Sequence, residues 1–143
     1  MALYAIGDTH LSLGSNKPMD VFGGGWTGYV DKLRRGFEVV EPEDTVVLCG
    51  DISWSMSLEE AWEDFAFLDR LPGRKLLMKG NHDYWWTTVS KMNQFFQENN
   101  FTTFEILHQR HPGHGGDRRP LPAGYGTAGR LPQKDLGGIH PAA

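Results

Sequence analysis

Three short runs in this chain place a glycine before side chains able to hold a metal ion. They are Gly7-Asp8-Thr9-His10, Gly50-Asp51-Ile52-Ser53 and Gly80-Asn81-His82-Asp83. Their donors are carboxylate oxygen, imidazole nitrogen and amide oxygen, with no thiolate, a set that suits Mn²⁺, iron or Zn²⁺. The glycines let the backbone turn sharply enough for the side chains to converge. Taken singly, each run has an ordinary reading: Gly-Asp after a strand is a turn or a helix cap, and Asp-x-His is a surface pair. A cation held by such groups can activate a water. A nearby imidazole can protonate a leaving alkoxide, and Asp83 is placed to hold the His82 ring in the useful tautomer.

The elements between the runs alternate. Residues 2–6 form a short apolar run ending at Gly7, which predicts a buried strand. Residues 45–49, 75–78 and 101–107 predict three more. Between them, residues 29–40 carry Tyr29, Leu33 and Phe37 at helical spacing. Residues 57–71 open with Ser57 and Glu60 as a capping box, show a stripe of Leu58, Trp62, Phe65 and Leu68, and stop at Pro72-Gly73. Residues 89–98 predict a third helix with Met92, Phe95 and Phe96. Strands alternating with helices indicate an α/β fold with parallel strands. In such sheets ligands bind beyond the carboxyl ends of the strands, and each of the three runs ends a successive strand. Asp8, His10, Asp51, Asn81, His82 and Asp83 are therefore expected on one rim. Trp54, Trp85 and Trp86 follow the second and third runs, either as walls of a substrate pocket or as packing beneath the loops.

Composition narrows the class. The chain has 143 residues, enough for one domain, and a net charge of −4 from 14 Lys+Arg against 18 Asp+Glu. That balance argues against a nucleic-acid partner held by phosphate contacts. Cys49 is the single cysteine, so there is no disulfide framework and no cysteine-rich zinc site. The expected compartment is reducing, the cytoplasm. No apolar run approaches the roughly 18 residues of a membrane span, and the first residues do not read as a signal peptide.

The ordered set Asp-x-His, Gly-Asp, Gly-Asn-His-Asp resembles the calcineurin-like metallophosphoesterases, closest to bacterial phosphoesterases and phosphohydrolases. The resemblance covers residues 1 to about 108. It implies the N-terminal half of a four-layer α/β/β/α sandwich, with a dinuclear centre of divalent or trivalent Mn, Fe or Zn. It further implies that Asp8 and His10 bind the first metal, Asp51 bridges both and Asn81 binds the second. His82 would face the substrate phosphate as general acid or charge stabiliser, with Asp83 beside it. The implied reaction is metal-dependent hydrolysis of a phosphomonoester or phosphodiester, its substrate and oligomeric state open.

A composition break follows residue 108. The first 108 residues hold 9 Lys+Arg, 16 Asp+Glu and 16 of the 17 aromatics; the last 35 hold 5 Lys+Arg, 2 Asp+Glu and only Tyr125. Eight of the 18 glycines and five of the eight prolines lie in residues 109–143. So little apolar surface predicts a segment without a core. It suits a natural flexible tail, or a frameshift in GC-rich coding DNA, which the abrupt stop of the periodic pattern favours. The family's later strand-end His and its Gly-His-x-His motif have no clear counterpart. His108, His111, His114 and His140 are present, but Gly116 stands where the last motif needs its second His. The other reading of this chain is therefore a truncated, catalytically inactive module that binds a metal or a partner. The first sheet is also expected to expose an apolar face.

Overall fold

The computed structural model describes residues 1–15 and 17–107. Strands β1 (Leu3–Ile6), β2 (Thr45–Leu48), β3 (Arg74–Leu77) and β4 (Phe104–Ile106) alternate with helices α1 (Tyr29–Gly36), α2 (Trp62–Arg70) and α3 (Val89–Glu98). The strands form one parallel sheet in the order β1-β2-β3-β4. This is the mixed α/β architecture expected. No helix among the described residues is long and apolar enough to cross a membrane.

Register decides what the sheet buries. Ile6, Leu48, Leu77 and Ile106 align across the strands, and Tyr4, Val46, Lys75 and Phe104 align two residues earlier. Both rows point to the same face, since side chains alternate along a strand. Right-handed crossovers that always step in one direction bring all three helices to one face. There Leu33, Phe65, Leu68, Met92 and Phe96 pack with Val46, Leu48, Leu77 and Ile106. Phe65, fully buried, sits at the centre, its ring edge-on to Trp85, Phe96 and Phe104 at centroid distances of 4.9, 5.1 and 5.3 Å.

The intervening positions make the other face. Leu3, Met78 and Leu107 are 47%, 38% and 50% exposed there, and Ala5 and Cys49 are exposed beside them. The expectation of an exposed apolar face thus holds at these positions, although Leu76 on the same face is buried. Parallel sheets ordinarily have both faces covered.

Several boundaries differ from the sequence pattern for local reasons. The first helix ends at Gly36, and residues 37–39 tighten into a 3₁₀ turn before β-branched Val40. The Ser57–Glu60 pair does form: Glu60 N–H donates to Ser57 Oγ at 3.2 Å, and the Glu60 carboxylate accepts from Met56 N–H at 2.8 Å. It closes a separate turn, because Trp62 N–H bonds back three residues to Glu59, and α2 proper begins at Trp62. Trp62 is 42% exposed rather than part of the buried stripe. Residues 101–103 are not strand. Instead, Asp69 Oδ1 accepts from Thr102 N–H, Thr103 N–H and Thr103 Oγ1 at 3.1, 3.1 and 2.7 Å, which steers the chain into β4.

Candidate metal centre

The loops leaving β1 and β2 run side by side beyond the sheet. Asp8 N–H donates to Gly50 O at 3.1 Å, His10 N–H to Asp51 O at 2.9 Å and Leu11 N–H to Ile52 O at 2.9 Å. The loop leaving β3 closes on them through glycine. A Cβ at Gly80 would lie 2.1 Å from Asp51 N, and one at Gly50 would lie 2.7 Å from Gly80 Cα. No side chain fits at either point. Gly50 also has φ +100°, open only to glycine at low cost.

Asp8, His10 and Asp51 converge at this rim, their donor atoms all within 4.8 Å of one another. His10 Nε2 lies 3.7 Å from Asp8 Oδ1 and 3.9 Å from Asp51 Oδ2. Those separations are too long for hydrogen bonds. They suit ligands of one cation, whose bonds to nitrogen and oxygen are about 2.0–2.2 Å long. Two carboxylates facing each other so closely also repel unless a cation lies between them. The residues therefore fit a metal ion.

Backbone strain collects on the same three residues. Asp8, His10 and Asp51 have φ of 54°, 42° and 48°. Left-handed backbone costs a non-glycine residue about 1–3 kcal/mol and clusters at functional sites. Among the described non-glycine residues only Asn100, just after α3, shares it.

Asn81 and His82 approach Asp51 from the β3 loop. The side-chain amide of Asn81 lies 3.2 Å from both Asp51 oxygens. With its nitrogen inward it donates to the carboxylate; with its oxygen inward, two acceptors face each other and need a cation between them. His82 N–H donates to Asp51 Oδ1 at 2.9 Å, and the His82 ring meets Oδ2 through Nδ1 at 2.9 Å. Burial works to raise the Asp51 carboxyl, but its His82 contacts outweigh this and hold it below the usual carboxylate range. Burial lowers the His10 imidazole, partly opposed by Asp51 and Asp8.

A family model described as calcineurin-like phosphoesterase matches residues 1–133. The chain belongs to the calcineurin-like phosphoesterase family. The match runs past the composition break at residue 108, where the resemblance of the motifs alone ends. Among solved structures, the chain is similar to AQ665, a protein of unknown function from Aquifex aeolicus, at 25% identity and a TM-score of 0.48. The alignment covers 73% of this chain and 49% of that one. It is also similar to the phosphopantetheinyl hydrolase of Mycobacterium tuberculosis, at 16% identity and a TM-score of 0.42, covering 78% of this chain and 36% of that one. The chain thus spans about half of one relative and about a third of the other. No curated protein matches it.

Of the six residues read from sequence, Asp8, His10, Asn81 and His82 gather around Asp51. Asp83 behaves differently. It does not reach the His82 ring, whose Nδ1 is taken by Asp51. Asp83 is buried, and its Oδ1 accepts from Ile52 N–H at 2.7 Å, Ser53 N–H at 3.3 Å and Trp85 Nε1 at 3.0 Å. Its Oδ2 accepts from Gly80 N–H at 2.7 Å. The expected tautomer-holding contact is thus corrected: Asp83 is a clamp between the β2 and β3 loops.

Two further participants lie outside the three strand-end runs. Asp64 on α2, wholly buried, accepts from Leu13 N–H at 2.7 Å and from Ser53 Oγ, tying the β1 and β2 loops to the helix. Burial raises its carboxyl above the ordinary range despite those donors. Trp26, from the glycine-rich loop, sets its ring edge-on to His10 at 5.7 Å. Of the tryptophans singled out, Trp54 stacks on His10 and leans on His82, while Trp85 reaches only Asp83, through its indole N–H. Trp85 packs on Phe65, and Trp86 on Trp85. His108, His111, His114 and His140, and the expected core-free segment 109–143, lie outside the described residues.

Proposed function

We propose that this chain carries the metal-binding face of a phosphoester hydrolase acting on phosphomonoesters or phosphodiesters through a dinuclear centre. Asp8 and His10 would hold one ion, Asp51 would serve both, and Asn81 would hold the second. The observation that carries the reading is the convergence of the Asp8, His10 and Asp51 donors within 4.8 Å. Mn, Fe and Zn all suit these oxygen and nitrogen donors.

Bound metal ions would supply positive charge for the phosphoryl oxygens and acidify a water. The side chains do the rest. Asp51 would offset the repulsion between two bound cations with its negative charge. It also anchors His82 through Nδ1, which leaves Nε2 to hold a proton for the leaving alkoxide. A positioned acid of this kind contributes about 10² to 10⁴ in rate. The proposed partner is a phosphate-ester substrate, with no membrane partner and no strong nucleic-acid signature, and the proposed compartment is the cytoplasm.

A second reading, a metal- or partner-binding module without turnover, is favoured by one observation. The family's Gly-His-x-His motif has no clear counterpart in the sequence, Gly116 standing where its second His is needed. Metal analysis of the purified chain after Mn²⁺ loading, combined with hydrolysis of p-nitrophenyl phosphate and its diester, separates the two. Two Mn²⁺ per chain with Mn²⁺-dependent turnover supports the hydrolase. Bound Mn²⁺ without turnover supports the module, and no Mn²⁺ binding removes both metal readings.

A further inference from the structure

A histidine that binds a metal ordinarily donates its other ring N–H to a carboxylate or carbonyl, which fixes the plane and tautomer of the ring. His10 has no such support. Its Nε2 faces Asp8 and Asp51, while its buried Nδ1 has no hydrogen-bond partner among the described residues. The second side-chain torsion of histidine is broad, so the ring plane needs an outside restraint. His10 also sits on left-handed backbone, at φ 42°.

The restraint on the ring is aromatic. The ring of Trp54 lies on the His10 imidazole with centroids 4.9 Å apart and planes only 21° from parallel. Trp26 closes the neighbouring side edge-on. Trp54 is itself held at both ends. Its backbone N–H donates to Leu11 O at 2.9 Å, and its indole Nε1 donates to Met19 Sδ at 3.1 Å. The same indole meets His82 at 4.9 Å, with planes 50° apart. One rigid side chain therefore touches both site histidines.

We infer that Trp54 is the positioning residue of the metal centre, fixing the His10 imidazole by ring stacking where a hydrogen bond would otherwise fix it. Trp54 touches no reacting atom; it acts through His10, and through its contact with His82. The inference rests on the metal-binding reading above. It predicts that a flat aromatic ring at position 54 is required, and that apolar bulk alone does not suffice.

The test uses the full chain and Mn²⁺ as probe, with affinity read by calorimetry. Trp54→Leu should weaken Mn²⁺ binding about 10- to 100-fold, the usual effect of losing a ligand's orienting partner. Trp54→Phe, which keeps a ring, should recover most of the affinity. In the metal-free protein, ¹H–¹³C spectra should show the His10 ring protons shifted upfield by the indole, and Trp54→Leu should return them to coil positions. Equal affinity in wild type and Trp54→Leu, with His10→Ala binding no Mn²⁺, overturns the inference and leaves the metal reading standing. Equal affinity in wild type and His10→Ala overturns the metal reading itself. Should Trp54→Leu fail to fold, unshifted His10 ring protons in the wild type overturn the inference, and upfield-shifted ones with Trp54→Phe retaining affinity support it.

Discussion

His82 grips Asp51 twice: its backbone N–H donates to Oδ1 and its ring Nδ1 meets Oδ2, both at 2.9 Å. The central carboxylate is thus held by the β3 loop at the same time as it faces Asp8 and His10 from the β1 loop. Removing its charge while keeping its shape tests how far the metals depend on it. Asp51→Asn should abolish the binding of two Mn²⁺ measured by calorimetry, because on the dinuclear reading proposed above a neutral amide would no longer offset two cations. Binding at wild-type stoichiometry would exclude Asp51 as the shared ligand.

The same pair predicts the opposite pattern for His82. Its ring nitrogen serves Asp51, and its indole contact is with Trp54. His82→Ala should leave Mn²⁺ stoichiometry intact and lower kcat on an aryl phosphate by about 10² to 10⁴. Steady-state kinetics at saturating Mn²⁺ gives the answer, and an unchanged kcat places the acid elsewhere.

The strands and the residues gathered around Asp51 were legible because each depends on local pattern. A short apolar run ending in glycine marks a strand and its turn, and the ligand-rich tripeptides follow directly. What was misread depends on direction in space. Asp83 follows His82 in sequence, but the chain turns there, Tyr84 N–H bonding back to His82 O at 3.0 Å, and Asp83 faces inward to the Ile52 and Gly80 amides. Asp64 did carry a signal. It stands three residues after Ala61 and four before Leu68, on the face that both residues bury. A charge on a buried helix face needs partners, here Leu13 and Ser53. Trp26 lies in an aperiodic glycine-rich loop, where spacing says nothing of contacts.

Asp83 as a clamp makes a stability prediction. Four donors, three backbone amides and one indole, converge on its two oxygens. Asp83→Ala leaves all four buried or half-buried without that acceptor, and bonds to a charged group are worth about 1.5–3 kcal/mol each, not additively. A loss of about 2–4 kcal/mol in urea unfolding is expected. Mn²⁺ affinity should fall with it, since the loops bearing Asp51 and Asn81 lose their link. A loss below about 0.5 kcal/mol, the range of an ordinary surface change, would show the clamp to be idle.

Lys75 makes the last prediction, far from the rim. It is wholly buried on the helix side of β3. Its Nζ donates to the Leu71 carbonyl, just past the end of α2, and to Thr103 Oγ1 at 3.4 Å. Burial pulls its pKa from 10.5 down to about 8, partly opposed by the charge of Asp69. Below pH 8 the ammonium is present in both folded and unfolded chains, and burying it is a standing cost. Between about pH 8 and 10.5 the folded chain has released the proton that the unfolded chain still binds. The unfolded state then carries more protons, so stability rises with pH through that window. Allowing for solvent screening, the gain is about 2–3 kcal/mol. Lys75→Met removes the titration but strands the Leu71 carbonyl, a cost of about 1–3 kcal/mol. The two proteins should therefore unfold at similar urea concentrations at pH 7. Wild type should pull ahead as pH rises to 10.5, while other titrating groups cancel in the difference. A difference that stays flat from pH 7 to 10.5 would mean that Lys75 keeps an ordinary affinity for its proton inside the fold.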